Sequence, residues 1–188
     1  MRIAIFGGTF DPVHSAHLAV ASEAASAFEL ERVLFVPASR PPHKSGATVA
    51  GYEDRYRMVE LACQAEPRFE ASRLEAGQER SYSIDTIERV RAALGPGDEL
   101  FFLIGADAFA EVATWRRWQE VVRAVRFIVA ARPGHSYAVA PGAQVERLDT
   151  VALAVSSSAI RVRLAAGENP PELPPAVAAY IRERGLYA

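Results

Sequence analysis

The chain has 188 residues, enough for one domain with a sizeable core and no need of covalent staples. Its 21 Lys and Arg against 23 Asp and Glu give a net charge of −2, which argues against non-specific nucleic-acid binding and a polybasic membrane surface. A single cysteine, Cys63, excludes an intrachain disulfide framework and a cysteine-based zinc site; it reads as a small buried residue on a helix. Alanine fills 35 positions, so the core is expected to be lean. The first apolar run, Ile3 to Phe6, stops at Gly7-Gly8, too short for a signal-peptide core. No window approaches the ~20 apolar residues of a membrane span. The expectation is a soluble cytoplasmic protein without a membrane or nucleic-acid partner; an oligomer is left open.

In chain order, Ile3–Phe6 is a buried first strand, followed by a helix over 15–28 with Leu18, Ala21, Ala25 and Phe28 at helical spacing. Val33–Val36 is a second strand closed by Pro37, and 38–52 is a loop with two adjacent prolines and two glycines. That loop has few apolar anchors and is the candidate to close over a ligand. A helix over 53–66, a short strand at Phe69–Ser72 and a helix over 83–94 come next. Leu100–Ile104 is the most apolar run and the expected central strand. A helix over 115–124, a strand at Phe127–Ala131 and a last short strand at Val151–Val155 precede helices at 157–166 and 175–184. This alternation predicts an α/β fold: a Rossmann-like, doubly wound, mostly parallel sheet with helices on both faces. One domain spans 1–188, with a C-terminal helical part at about 157–188. Ligands of such a fold sit at the carboxyl ends of the strands.

Two segments carry chemistry. GGTFDPVHSAH, residues 7–17, follows the first strand directly. Gly7 and Gly8 permit a tight turn and close backbone approach, and Pro12 holds Asp11 extended. The helix start beyond it offers free N–H groups and a positive dipole end to an anion. His14 and His17, three apart, can share one side of that site and donate to phosphate. A zinc pair fits less well, because no third ligand is near and the spacing is not that of a metalloprotease helix. The dehydrogenase fingerprint and the Walker loop are both absent. VSSSAIR, residues 155–161, places three serines before another helix, with Arg161 one turn in. Alone it reads as ordinary capping by Ser156 or Ser157; with the first segment, two helix N-termini can grip one polyphosphate.

GGTFDPVHSAH resembles the G-x-F-D-P-x-H-x-G-H motif of the nucleotidylyltransferase superfamily, and VSSSAIR resembles its later I-S-S-T-x-I-R motif. PPHK (41–44), ERSYSIDT (79–86), IGADAFAEVATWRRW (104–118) and YIRERGLY (180–187) are similar to the bacterial nicotinate-nucleotide adenylyltransferases. The resemblance covers almost the whole chain. Two departures stand out: Ala16 replaces the glycine between the histidines, and Ser158 replaces a threonine.

The resemblance implies adenylyl transfer from MgATP to nicotinate mononucleotide, giving nicotinate adenine dinucleotide and pyrophosphate. His17 would stabilise charge on the α-phosphate; His14, Gly8 and the backbone of Thr9 and Phe10 would hold ATP phosphates. Ser156, Ser157 and Arg161 would hold the departing pyrophosphate, with Gly105 and Asp107 facing the adenosine. An N-cap role for Asp107 is an even alternative. His43 and Lys44 would meet the mononucleotide phosphate, Trp115 would stack on the pyridine, and Tyr82 and Thr86 would lie near the carboxylate. Arg132 could touch the nucleotide or merely end a strand. Trp118 reads as core. No clustered carboxylates announce a metal site, so Mg²⁺ is expected with ATP. A phosphopantetheine adenylyltransferase, a non-catalytic nucleotide sensor and a nicotinamide dehydrogenase are the competing readings.

Overall fold

The computed structural model describes residues 1–39 and 49–188. Its centre is a sheet of six strands: β1 (Arg2–Gly8), β2 (Arg32–Pro37), β3 (Phe69–Ala71), β4 (Glu99–Gly105), β5 (Arg126–Ala131) and β6 (Gln144–Asp149). They lie in the order β3-β2-β1-β4-β5-β6, every neighbouring pair parallel. The order turns at the central pair β1 and β4, where Ile3 faces Leu100 and Phe6 faces Leu103.

Strands buried on both faces need apolar residues at every position. Along β1, β4 and β5, alternate side chains therefore supply two cores. On one face Ala4, Phe6, Phe101, Leu103 and Ile128 pack against α1 (Ser15–Ala27), α2 (Tyr52–Cys63), α6 (Ser157–Ala165) and α7 (Pro175–Arg184). On the other, Ile5, Phe102, Ile104, Phe127 and Val129 meet α3 (Ser83–Ala92), α4 (Ala106–Ala110) and α5 (Trp118–Ala124). The alanines of α1 (Ala21, Ala24, Ala25) are almost fully buried, so small side chains let this helix approach the sheet closely. Cys63 is buried at the end of α2, and burial pushes its thiol pKa up to about 12.

The doubly wound parallel sheet is as the sequence predicts. Two corrections concern its far edge. The expected strand at Val151–Val155 is instead a 3₁₀ turn, Ala152–Ala154, and the sixth strand precedes it. An edge strand buries little: β6 has only Val145 and Leu148 as apolar residues, and Glu146 is held by Arg126. The stretch 115–124 is also not one helix. Trp115 is extended (φ −73°, ψ 149°) after a 3₁₀ turn at Val112–Thr114, and α5 starts at Trp118. The helix expected over 53–66 ends at Cys63, and the one expected over 83–94 ends at Ala92.

Candidate active site

The turn after β1 is built around a left-handed residue, Phe10 (φ +49°), whose ring is buried. A Cβ on Gly8 would stand 2.9 Å from that ring, so only glycine lets Phe10 fold back here. The Asp11–Pro12 peptide is cis, and α1 starts at Ser15 with His14 as its N-cap. His17 takes one side of a capping-box arrangement: its Nδ1 accepts the backbone N–H of His14 at 3.2 Å. The two imidazoles stack with centroids 3.8 Å apart, and Phe10 meets His17 edge-on at 5.0 Å. With Nδ1 accepting, the neutral ring of His17 carries its proton on Nε2, a donor suited to a phosphate oxygen. His14 is 3 % exposed and its Nδ1 is buried without a hydrogen-bond partner among the described residues. Burial drives its pKa down to about 4, against the opposing carboxylate of Glu172.

α6 is docked onto the same turn. Ser156 Oγ caps it by accepting the N–H of Ala159 at 3.2 Å. Ser157 Oγ donates to the carbonyl of Pro12 at 2.9 Å. Arg161 donates to the carbonyl of Asp11 at 2.7 Å and to Ser158 Oγ at 3.3 Å. The N-termini of α1 and α6, at Ser15 and Ser157, thus meet at the turn beyond the carboxyl end of β1 although they are far apart in the chain.

Behind the turn lies a cavity of about 420 Å³ at the carboxyl ends of β1, β2 and β4. Gly8 and Thr9 form one side of it; Tyr82, Thr86 and Trp115 line the other. Trp115 is propped edge-on against Phe102 with centroids 5.8 Å apart. Tyr82 is the N-cap residue of α3 and supplies no side-chain cap. Intrahelical bonding starts with the N–H groups of Asp85 and Thr86, both to Tyr82 O, so those of Ser83 and Ile84 have no intrahelical acceptor. The Thr86 hydroxyl is committed to a buried carboxylate, Glu75 Oε1, at 2.6 Å. Ser81, also lining the cavity, accepts the backbone N–H of Ser39.

The remaining candidates are placed less centrally. Gly105 ends β4 and is the N-cap of α4; Asp107 is exposed on the second residue of α4, so the N-cap alternative for it does not hold. Ala108 and Glu111, not Asp107, reach the cavity wall. Arg132 is exposed beyond β5, 3.5 Å from the Leu153 carbonyl, and does not line the cavity. His43 and Lys44, with most of the loop 38–52, lie outside the described residues. No group of three or more His, Cys, Asp or Glu among the described residues converges as a metal site.

Sequence reasoning missed a buried brace beneath the turn. Asp11 accepts the N–H groups of Val49 (2.8 Å) and Ala50 (3.1 Å) and the hydroxyl of Tyr187 (2.6 Å). Arg55, fully buried, donates to the carbonyls of Thr9, Ala50 and Ser39. Its signal was present: Arg55 stands in register with Met58, Val59 and Ala62 on the buried side of α2, where an arginine is costly unless every donor is satisfied. Glu75 and Arg116, both lining the cavity, were also missed.

Residues 5–163 match the cytidylyltransferase-like family. A protein of Solibacter usitatus named "Probable nicotinate-nucleotide adenylyltransferase" is 62 % identical over all of both chains. Relatives of the same name from Thermus thermophilus (44 % identity, all of both chains) and Moorella thermoacetica (42 %, 99 % of this chain and 91 % of that one) also match. The chain belongs to the nicotinate-nucleotide adenylyltransferase family. The fold agrees: the Plasmodium falciparum nicotinic acid mononucleotide adenylyltransferase complexed with NaAD superposes with a TM-score of 0.79 at 20 % identity, covering 99 % of this chain and 97 % of that one. The same enzyme complexed with APC gives a TM-score of 0.78, covering 99 % and 96 %. Among the described residues no helix is long and apolar enough to cross a membrane.

Proposed function

We propose that this enzyme transfers the adenylyl group of MgATP to nicotinate mononucleotide, forming nicotinate adenine dinucleotide and pyrophosphate. The observation that carries the reading is the shared wall: the turn bearing His14 and His17 supplies Gly8 and Thr9 to the cavity that holds Tyr82, Thr86 and Trp115. One substrate's phosphates at the helix N-termini and the other's ring in the cavity then meet at that turn.

A phosphate oxygen of the mononucleotide attacks the α-phosphorus of ATP. The new P–O bond forms as the bond to the β-bridging oxygen breaks, and pyrophosphate leaves. The nucleophile is already an anion, so no general base is required. The protein's work is alignment and charge stabilisation. His17 Nε2–H is the donor for charge growing on the α-phosphate. Arg161 and the N-terminus of α6 receive the departing pyrophosphate. Mg²⁺ enters as part of the substrate, held by phosphate and water. Trp115 stacks on the pyridine, and the N–H groups opening α3 receive its carboxylate. Gly105 and Asp107 serve the adenosine, and His43 and Lys44 the mononucleotide phosphate.

The test is pyrophosphate release from MgATP with a panel of acceptors, with the dinucleotide product identified by mass. Nicotinate mononucleotide should be used best. Preferential use of phosphopantetheine, or ATP binding without turnover, would replace this reading with one of its rivals.

A further inference from the structure

The substrate reading leaves the acid-binding end of the cavity with an electrostatic problem. Its described lining holds two carboxylates, Glu75 and Glu111, and one guanidinium, Arg116. Thr86 donates to one oxygen of Glu75 at 2.6 Å. An anionic ring substituent brought here meets two like charges, and a lone cation decides whether it is tolerated.

Arg116 and its neighbour have opposite fates. Arg117, on a left-handed backbone (φ +54°), is bound by the carboxylates of Glu88 at 2.7 Å and Glu120 at 2.6 Å. Arg116 lines the cavity, forms no ion pair with any described carboxylate, and lies 4.7 Å from the centroid of the Tyr82 ring. The guanidinium is held at the Tyr82 ring and hydroxyl, and with five N–H donors it keeps others for a further partner. Its position next to Trp115 and over Tyr82 puts the charge at the aromatic end of the cavity, away from Gly8 and Thr9 where phosphates meet.

We propose that Arg116 is a specificity-determining residue, pairing with the carboxylate of the pyridine ring and so favouring the acid over the amide. This rests on the substrate reading above. A carboxylate gains a charge-assisted hydrogen bond from the guanidinium; a carboxamide offers a neutral oxygen and gains far less. The backbone donors of α3 orient either group, whereas Arg116 responds to its charge.

The experiment compares wild type, Arg116→Gln and Arg116→Lys. It measures kcat/KM for nicotinate and nicotinamide mononucleotides and KM for ATP. Arg116 is exposed, and circular dichroism checks that each variant folds. Wild type should prefer the acid. Arg116→Gln should shrink the acid-to-amide ratio about tenfold, chiefly through a higher KM for the acid, with the ATP KM the smaller change. Arg116→Lys, which keeps the charge without the planar fork, should recover part of the ratio. Equal losses on both mononucleotides, or an unchanged ratio in Arg116→Gln, overturn the role of Arg116 and leave the substrate reading standing. A wild type that prefers the amide overturns both.

Discussion

His17 is fixed from three sides: a backbone N–H on Nδ1, the ring of His14 at 3.8 Å and the edge of Phe10 at 5.0 Å. Such preorganisation means that no free energy is lost in turning the ring when charge develops on the phosphate. His17→Ala should lower kcat about 100-fold or more, the scale for removing one preorganised donor, with the ATP KM moving much less. Turnover within a few-fold of wild type would dismiss the role. His14 carries a different signature. Its pKa falls from 6.5 to about 4 because the ring is buried. The unfolded chain therefore binds this proton first, and the native state is destabilised as pH falls from about 6.5 to about 4. Full expression of that shift costs about 3 kcal/mol. Urea melts of wild type and His14→Gln between pH 7.5 and 4.5 should show a steeper acid loss in the wild type. Parallel pH profiles would mean that His14 is not the group responsible.

Elements were legible where burial dictated their composition. β1, β2, β4 and β5 are unbroken apolar runs because both faces are covered, and β1 ends in Gly7-Gly8 because the Phe10 ring folds back against Gly8. β6 was illegible because an edge strand is half solvent and here is knit by Arg126 and Glu146; Val151, 81 % exposed, imitates a strand residue only in its side chain. At the site, the histidines, Ser156 and Arg161 could be read because a helix start fixes their geometry from spacing alone. Glu75 could not, since its partner Thr86 stands eleven residues away on another element and nothing local announces the pair. Trp115 is the intermediate case: its residue type was readable, its extended backbone was not. That extension, before α5 resumes, leaves the indole on the cavity wall instead of on a helix face. Trp115→Ala should weaken the mononucleotide by about 1–2 kcal/mol, read as a KM increase of several-fold to about thirtyfold, with ATP nearly spared. A larger loss for ATP would put the indole against the other nucleotide.

Across the whole molecule, the last residues close onto the first turn. α7 is tied to α2 by Tyr180 and Arg184, both on Asp54 Oδ1, and the chain then bends so that Tyr187 reaches Asp11, 176 residues earlier. The carbonyl of that same Asp11 holds Arg161, and its carboxylate holds Val49 and Ala50. Three distant segments thus converge on one buried aspartate. Tyr187 remains a donor throughout the working pH range, because burial raises its phenol pKa and the Asp11 carboxylate raises it further. Tyr187→Phe deletes one hydrogen bond to a buried carboxylate while keeping the ring, a loss of about 1.5–3 kcal/mol. In a chain of this size each kcal/mol lowers Tm by about 2–4 °C, so a fall of several degrees is expected. If the bond to Asp11 carries that loss, it must depend on the state of Asp11. Asp11→Asn removes the charge that the phenol serves, so the two substitutions should be non-additive: Tyr187→Phe should cost markedly less in the Asp11→Asn background. Chemical denaturation of the wild type, both single variants and the double variant supplies the cycle. Additive losses would show that the Tyr187 hydroxyl acts independently of Asp11 and that the C-terminus does not brace the turn after β1 through it.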